Sequence, residues 1–223
     1  MLQWPPIALA YELPESDIMT RPPRNAAIDR LVNLRLILYS YLQIGFLLAL
    51  SGFTTYFTIM MWHGFKPQDL IMIRDQWDSK YVHNVKDSYG QEWGYQERKS
   101  LEACCHGGFF FALVVTRWSD VLITKTRKLS LVQQGMELVF REALDNWDFR
   151  NNVLNIGIFF TMIIAWFCMN VPWVDSTLKV TGLRASICMT AIPWAILVLL
   201  FDEVRRWAIR CWPSGWVYKE TYY

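Results

Sequence analysis

Arg117 and Asp120 are the residues whose types and spacing most clearly allow chemistry. They lie in an apolar stretch, and residues three apart share one face of a helix, so the guanidinium and the carboxylate can pair. A charge at the centre of a membrane span costs roughly 2.5–3.5 kcal/mol, whereas each large apolar residue returns about 0.3–0.6 kcal/mol. Two readings stay open. The residues form an internal ion pair, with Arg117 reaching toward the cytoplasm, or Asp120 lines an ion path between helices.

Sequence motifs for other kinds of chemistry are absent. The sequence has no glycine-rich phosphate loop, no zinc motif, no dinucleotide fingerprint and no Ser, His and Asp spacing typical of a catalytic triad. The three histidines are scattered. The five cysteines lie in or beside apolar runs or in the tail, which argues against a disulfide framework. We therefore expect no catalytic residue, no metal site and no cofactor in this chain.

The composition is typical of a membrane protein. Hydrophobic residues make up 53% of the chain, and the runs 36–62 and 153–171 contain no Asp, Glu, Lys or Arg. About 20 apolar residues are enough to cross the roughly 30 Å hydrocarbon core of a bilayer. The formal net charge of +2 gives no indication of a nucleic-acid partner.

The hydropathy pattern predicts an all-α membrane protein with a bundle of four transmembrane helices. Gly45, Ala49 and Gly52 share a small-residue face in the first span, which would let another helix approach closely. Trp147 and Phe149 suggest an interfacial helix in the connector before the third span. The predicted segments are a polar lead-in at 1–35, spans at about 36–62, 103–124, 153–171 and 185–201, an outside loop at 63–102, a connector at 125–152, a short turn around Pro172 and Trp173, and a tail at 202–223.

The distribution of basic residues predicts the orientation of the spans. Lys and Arg close to span ends concentrate on the cytoplasmic side of a membrane. The end of the first span has only Lys66 nearby. Both termini, the 125–152 connector and the 202–223 tail are therefore expected in the cytoplasm, and the 63–102 loop outside. The basic residues that flank the start of the first span and follow the second and fourth spans are Arg30, Arg35, Lys125, Arg127, Lys128, Arg205, Arg206 and Arg210.

Several stretches resemble the C-terminal membrane region of P-type ATPase alpha subunits, in the subgroup of the sodium/potassium and proton/potassium pumps. The likeness covers most of the chain up to Met136 and again from Leu200, and it is weak between 137 and 199. The matching stretches are Pro6-Ile7-Ala8-Leu9-Ala10-Tyr11-Glu12, Glu15-Ser16-Asp17-Ile18-Met19, Pro23-Arg24-Asn25, Asp29-Arg30-Leu31-Val32-Asn33, Gln43-Ile44-Gly45, Gly52-Phe53 with Tyr56-Phe57, Asp87-Ser88-Tyr89-Gly90-Gln91-Glu92-Trp93, Ser119-Asp120-Val121-Leu122-Ile123 with Lys125-Thr126-Arg127, Gln133-Gln134-Gly135, Asp202-Glu203-Val204-Arg205 and the closing Lys219-Glu220-Thr221-Tyr222-Tyr223.

The resemblance implies that the four spans are helices seven to ten of a pump, with the end of the preceding helix in 1–35. It implies that Ser88, Tyr89, Gly90 and Gln91 contact a beta subunit. Asp120 falls on a carboxylate of the sodium-only ion site, and Arg117 stands beside it. Further positions carried over from the family are the terminal tyrosines that tune that site, Tyr222 and Tyr223, and a basic-directed kinase site, Ser130, which reads equally well as a solvated serine.

Two departures from the family pattern suggest a mechanism. Arg117 stands where the family usually has a glutamine, and Gly157-Ile158-Phe159-Phe160-Thr161 aligns with a segment that carries paired glutamates in sodium pumps. A fixed guanidinium beside a carboxylate would repel Na⁺. Our hypothesis is that Arg117 pairs with Asp120 as a built-in cation, so that a pump with this segment loses its third sodium.

The resemblance leads to two functional hypotheses. The first is the C-terminal membrane segment of a cation-pumping alpha subunit in the plasma membrane, with the lipid bilayer, a beta subunit and Na⁺, K⁺ or H⁺ as partners. ATP and Mg²⁺ would act only in the complete pump, because this chain lacks the phosphorylation and nucleotide-binding domains and cannot hydrolyse ATP alone. The alternative is a stand-alone membrane protein that binds a beta subunit without pumping. A third hypothesis, which does not depend on the resemblance, is a small channel-like protein in which Asp120 lines a pathway.

Overall fold

The computed structural model describes residues 7–11, 32–82, 85–124, 152–182, 185–213 and 215–221. This part of the chain is mostly helical, with one small two-stranded antiparallel sheet. A short 3₁₀ helix lies at Leu9–Tyr11. The helices are α1 (Leu34–Trp62), α2 (Arg74–Asp78), α3 (Tyr95–Thr124), α4 (Asn152–Asn170), α5 (Pro172–Leu178), α6 (Ala185–Cys188), α7 (Ile192–Cys211) and α8 (Trp216–Thr221), and the strands are β1 (Val85–Lys86) and β2 (Glu92–Trp93).

The helix ends explain where the structure departs from the predicted spans. Asn33 caps α1 by accepting the N–H of Leu36 at 2.8 Å. α3 begins at Tyr95 rather than near residue 103, because the Glu97 carboxylate reaches back to the N–H of Gly94 at 2.8 Å and caps its polar first turns. α7 continues past residue 201 to Cys211. An apolar run therefore marks the hydrophobic part of each helix and not its full length.

Two helices, α1 and α3, are long and apolar enough to cross a membrane by length and composition. A shorter apolar helix covers Ile156–Asn170. The structure is thus consistent with an all-α membrane region. The count of four spans, the domain boundaries and the cytoplasmic placement of both termini stay predictions.

The predicted short turn around Pro172 and Trp173 is wrong. These residues begin α5, which runs to Leu178. Proline suits the first position of a helix because its fixed φ is helical and no backbone N–H is needed there. The interfacial helix expected at Trp147 and Phe149 lies outside the described residues.

The chain divides into two compact units. The first comprises Met1–Leu47, Arg117–Thr161 and Ala195–Tyr223. Its described apolar core is small, with Ala8, Val121 and Leu154 buried against one another. Within this unit α1 is π-helical over Leu38–Ile44. Short π-helical stretches inside α-helices often occur at functional sites.

The second unit comprises Leu48–Thr116 and Met162–Trp194. The ring of Phe109 on α3 packs directly on Gly52, so that a methyl group added at Gly52 would lie only 2.7 Å from the ring. This close approach confirms part of the predicted small-residue face. Ser51 and Thr116 join the same two helices with a hydroxyl–hydroxyl distance of 3.3 Å. The buried core of the unit contains Ile59, Met60, Phe65, Trp77, Val85, Leu101, Cys105 and Ile187.

Candidate functional sites

The predicted ion pair of α3 is present. Arg117 Nη1 lies 2.9 Å from Asp120 Oδ2, and the two side chains are 43% and 16% exposed. The contact follows from local geometry, since residues three apart meet on one helix face. The negative charge of Asp202 on α7 also acts on Asp120. The pair therefore belongs to a larger charged cluster within the first unit.

Asp202 is the centre of that cluster and is fully buried. Arg205 Nη2 lies 2.7 Å from its Oδ1, and Arg206 Nε lies 2.6 Å from its Oδ2. The spacings of three and four place both arginines on the face of Asp202. Tyr39, in the π-helical part of α1, donates its hydroxyl to Asp202 Oδ1 at 3.0 Å. A single carboxylate thus binds two guanidinium groups and links α7 to α1.

The arginines of the cluster extend these links to other parts of the first unit. Arg206, also fully buried, donates to the carbonyl of Ile123 near the end of α3. Arg205 lies 5.0 Å from the Tyr39 ring centroid and donates to the carbonyl of Thr221 in α8 at 3.4 Å. The charged groups therefore connect α1, α3, α7 and the tail helix α8.

The charged cluster around Asp202 was not predicted from the sequence. The signal was an acidic residue followed at three and four positions by two arginines, directly after an apolar run. We read these residues only as a family motif and as an orientation signal. The contact with Tyr39 joins residues 163 positions apart and has no local sequence signature.

The segment that lacks the paired glutamates is part of α4. Thr161 is buried and accepts the indole N–H of Trp118 at 3.2 Å. Trp118 is the neighbour of Arg117 on α3. A neutral hydrogen bond therefore lies in the segment that, by the resemblance, aligns with the paired glutamates of sodium pumps.

The turn expected to contact a partner follows β1. Ser88, Tyr89 and Gly90 form a three-residue hairpin loop, because the N–H of Asp87 donates to the carbonyl of Gln91 at 2.9 Å. Gly90 has a φ of +85°, the left-handed conformation that such loops require and that glycine adopts without strain. The Tyr89 side chain is 78% exposed, and Lys66 Nζ lies 5.6 Å from its ring centroid. The turn therefore presents an aromatic side chain on an ordered backbone.

Asp87 organises the backbone of this turn. Its Oδ1 accepts the N–H of Tyr89 at 2.9 Å and that of Gln91 at 2.8 Å, and its Oδ2 accepts the indole N–H of Trp93 at 3.4 Å. Burial opposes ionisation of the carboxyl, but the N–H groups of Gln91 and Tyr89 hold the pKa of Asp87 below its usual range. The charged form is therefore the one that the turn stabilises.

Arg98 supports the loop that lies between α1 and α3. Its side chain is fully buried and donates to the carbonyls of Gln76, Ser79 and Val82 at 2.6, 3.2 and 2.6 Å. A structural role for Arg98 was not predicted from the sequence, because the residue falls in the segment that we expected to be a polar loop. No local pattern marks it in the sequence, because α3 begins in a polar segment.

Other predicted positions give less information. His63 contacts the carbonyl of Ile59 at 2.8 Å, and His106 lies 6.3 Å from the ring centroid of Tyr56. In the part of the chain that the structure describes, no group of three or more His, Cys, Asp or Glu residues could hold a metal ion. The kinase-site serine and the terminal tyrosines, Ser130, Tyr222 and Tyr223, lie outside the described residues.

Comparison with known proteins agrees with the resemblance. The sodium/potassium-transporting ATPase subunit alpha-4 of Homo sapiens is 46% identical over 98% of this chain, and subunit alpha-1 of Anguilla anguilla is 45% identical over 98%. The subunit alpha of Drosophila melanogaster is also 45% identical over 98%. The chain spans 20% of the length of each of these relatives. Residues 3–208 match the model of the family described as cation transporting ATPase, C-terminus, and the chain belongs to that family.

Proposed function

We propose that this chain acts as the C-terminal membrane region of a cation-pumping alpha subunit of the sodium/potassium and proton/potassium type. In the assembled pump it contributes to monovalent cation transport across the plasma membrane and docks a beta subunit. It crosses the bilayer four times, with both termini in the cytoplasm. The observation that carries this proposal is the family match over residues 3–208, together with the identity to sodium/potassium-transporting alpha subunits.

The geometry of the 88–91 turn supports beta-subunit docking. An exposed aromatic side chain contributes most to binding affinity when its backbone is already ordered, because less conformational entropy is then lost on binding. Tyr89 has both properties, since it is 78% exposed and its N–H is held by Asp87. Gln91 follows with an exposed side chain and an N–H held by the same carboxylate.

The charged cluster supports the built-in cation hypothesis. Arg117 lies within hydrogen-bond distance of Asp120, so the carboxylate already has a cation. An added Na⁺ would have to displace a guanidinium that stays protonated at physiological pH. Asp202 is likewise bound by Arg205 and Arg206. With the nearby carboxylates paired to arginines, the region offers little net negative charge to attract a third sodium ion.

A substitution of Arg117 tests this role in transport. In a reconstituted pump that contains this chain, Arg117→Gln should restore part of the sodium dependence, because it frees Asp120 as an oxygen ligand. The measurements are the Na⁺ transported per ATP hydrolysed and the charge moved per cycle. Arg210→Gln is the matched control, since Arg210 pairs with Glu203 at 3.3 Å near the end of α7. An ion stoichiometry identical in wild type and Arg117→Gln would contradict the hypothesis.

A stand-alone beta-binding protein is the second candidate. The observation that favours it is that the contacts described for the turn all come from residues 64–93 of this chain. Docking would then need no other part of a pump.

Pull-down of the tagged chain from cells separates the two candidates. A band of full pump size, or beta subunit recovered with ATPase activity, supports the pump. A band near 26.3 kDa that recovers beta subunit without ATPase activity supports the stand-alone protein. Recovery of neither would contradict both.

A further inference from the structure

Gly64 ends α1 and at the same time contacts the turn. The N–H of Gly64 donates to the carbonyl of Met61 at 3.1 Å, and the N–H of Phe65 donates to that of Met60 at 3.0 Å. These two bonds and a φ of +94° at Gly64 define a Schellman motif, in which a glycine follows the helix. Met60 and Phe65 are both buried in the core of the second unit, and a hydrophobic contact between these two positions is common in the motif. The backbone at Gly64 is therefore fixed.

The Asp87 carboxylate packs directly on Gly64. A methyl group at Gly64 would lie 2.5 Å from Asp87 Oδ2 and 3.1 Å from its Cγ. Atoms do not approach so closely, so any larger residue must push the carboxylate away. The N–H groups of Tyr89 and Gln91 would then lose their acceptor, since both bond to Asp87 Oδ1.

Ser88 forms a second connection between the same segments. Its N–H donates to the carbonyl of Gly64 at 3.1 Å, and its Oγ accepts the N–H of Lys66 at 3.1 Å. The Ser88 hydroxyl donates to the Asp69 carboxylate. Three hydrogen bonds and the packing of Asp87 on Gly64 thus join the chain after α1 to the first residues of the turn.

We propose that Gly64 and Asp87 are positioning residues that hold the 88–91 turn in one conformation for its protein partner. The inference rests on the proposed beta-subunit docking and adds residues that do not themselves face the partner. Asp87 is only 9% exposed, and Gly64 is buried, whereas Tyr89 is 78% exposed. The pair raises affinity by ordering the turn before the partner arrives, because a preformed turn loses less entropy on binding.

Variants of the full chain in nanodiscs test the inference with two separate measurements. Amide hydrogen exchange at Tyr89 and Gln91 reports the order of the turn without a partner. Capture of purified beta subunit reports docking. Gly64→Ala and Asp87→Ala should each speed exchange at both amides by about tenfold, the equivalent of roughly one lost hydrogen bond. Both should reduce capture at least severalfold.

Gly94→Ala is the control for adding a methyl group to this segment, and Asp87→Ala separates loss of the carboxylate from the strain that alanine meets at the φ of +94° of Gly64. Gly94 also lies in the segment between α1 and α3, but a methyl group there would meet nothing closer than Glu97 Oε2 at 3.5 Å. It should leave exchange and capture unchanged. If Gly64→Ala yields little folded chain, Asp87→Asn provides the same test, because it keeps the size of the side chain and weakens the acceptor.

The outcomes separate the inference from the function on which it rests. Faster exchange together with weaker capture supports the positioning role. If the wild-type chain captures beta subunit but amide exchange is unchanged in both variants, the inference is overturned and the docking function stands. Faster exchange with unchanged capture also overturns it, since the order of the turn would then not matter for binding. No capture by the wild-type chain would overturn the docking function itself and the positioning role with it.

Discussion

Asp87 at the 88–91 turn and Asp202 on α7 are both buried carboxylates, but different groups compensate their charges. Asp87 accepts two backbone N–H groups and an indole N–H. Asp202 is bound by the guanidinium groups of Arg205 and Arg206 and by the hydroxyl of Tyr39. The difference follows from the backbone. A hairpin loop has free N–H groups to offer, whereas those inside a helix already bond to carbonyls four residues earlier.

The two kinds of donor have different effects on the structure. Backbone donors fix the path of the chain, so Asp87 gives the turn a shape. Arginine side chains leave the helix backbone unchanged and instead link separate helices, so the Asp202 cluster joins elements. Arg98 presents the inverse case, in which a buried cation is bound by three loop carbonyls. Loops thus satisfy charges of either sign with backbone groups.

The largest effect should come from breaking the helix cluster. Asp202→Asn removes the negative charge between two arginines, one of them fully buried, and should destabilise the chain by about 3–5 kcal/mol. The measurement is the thermal unfolding midpoint in detergent. Glu203→Gln is the control, because its partner Arg210 lies 3.3 Å away and both side chains are partly exposed, so the loss should stay below about 1 kcal/mol. Equal losses would refute the central role of Asp202.

The next largest effect should come from the loop cation. Arg98→Lys keeps the charge, but a single ammonium cannot reach all three carbonyls, and the unpaired carbonyls should cost about 2–3 kcal/mol. Hydrogen exchange and limited proteolysis of residues 76–82 would report the loss. Arg74→Lys should change neither, because the Arg74 side chain is 93% exposed. Unchanged protection in Arg98→Lys would show that charge alone holds the loop.

A smaller effect should appear as a pH dependence of the 88–91 turn. The folded pKa of Asp87 lies below its unfolded value, so its contribution to stability is complete above the unfolded pKa of about 4 and is lost as the pH falls through the folded pKa. Protection of the Tyr89 and Gln91 amides, corrected for intrinsic exchange, should stay constant from neutral pH to about 5 and fall below about 4. Asp87→Asn should remove this difference. A loss of protection near neutral pH would contradict the assignment.

The smallest effect should come from the partly exposed ion pairs at the start of α3. Lys99 Nζ lies 2.6 Å from Asp78 Oδ1 and 2.7 Å from Glu102 Oε2. The Lys99 ammonium holds the pKa of Asp78 below its usual range. Lys99→Met should lower the unfolding midpoint only slightly, and high salt should remove the difference from wild type, because exposed ion pairs are screened. A large drop that salt does not change would show that Lys99 acts through packing instead.

Local features of the fold could be predicted from the sequence. The apolar runs identified the positions of the long helices, and the spacing of Arg117 and Asp120 was enough to predict their contact, because one turn of helix fixes it. The helix ends could not be read from hydropathy. α3 begins in a polar segment that a Gly94–Glu97 cap stabilises, and α7 continues to Cys211 through a charged segment in which Arg210 pairs with Glu203.

Contacts between distant segments could not be predicted from a single sequence. Tyr39 and Asp202 meet only because two helices pack together, and neither residue carries a local sign of the contact. The same holds for Gly64 and Asp87, where the glycine reads as an ordinary helix terminator and the aspartate as part of a polar loop. The family resemblance pointed to the exposed residues of the turn, and the structure added the buried ones beneath them.

Gly64 also couples the fraying of the C-terminal end of α1 to the conformation of the 88–91 turn. Helix ends normally fray, opening and closing at little cost in free energy. Here the last turn of α1 cannot open without disturbing the glycine on which the Asp87 carboxylate packs. A partner that clamps the turn would therefore slow the fraying of α1, and the exchange rates of the amides of Gly64 and Phe65 would fall when that partner binds.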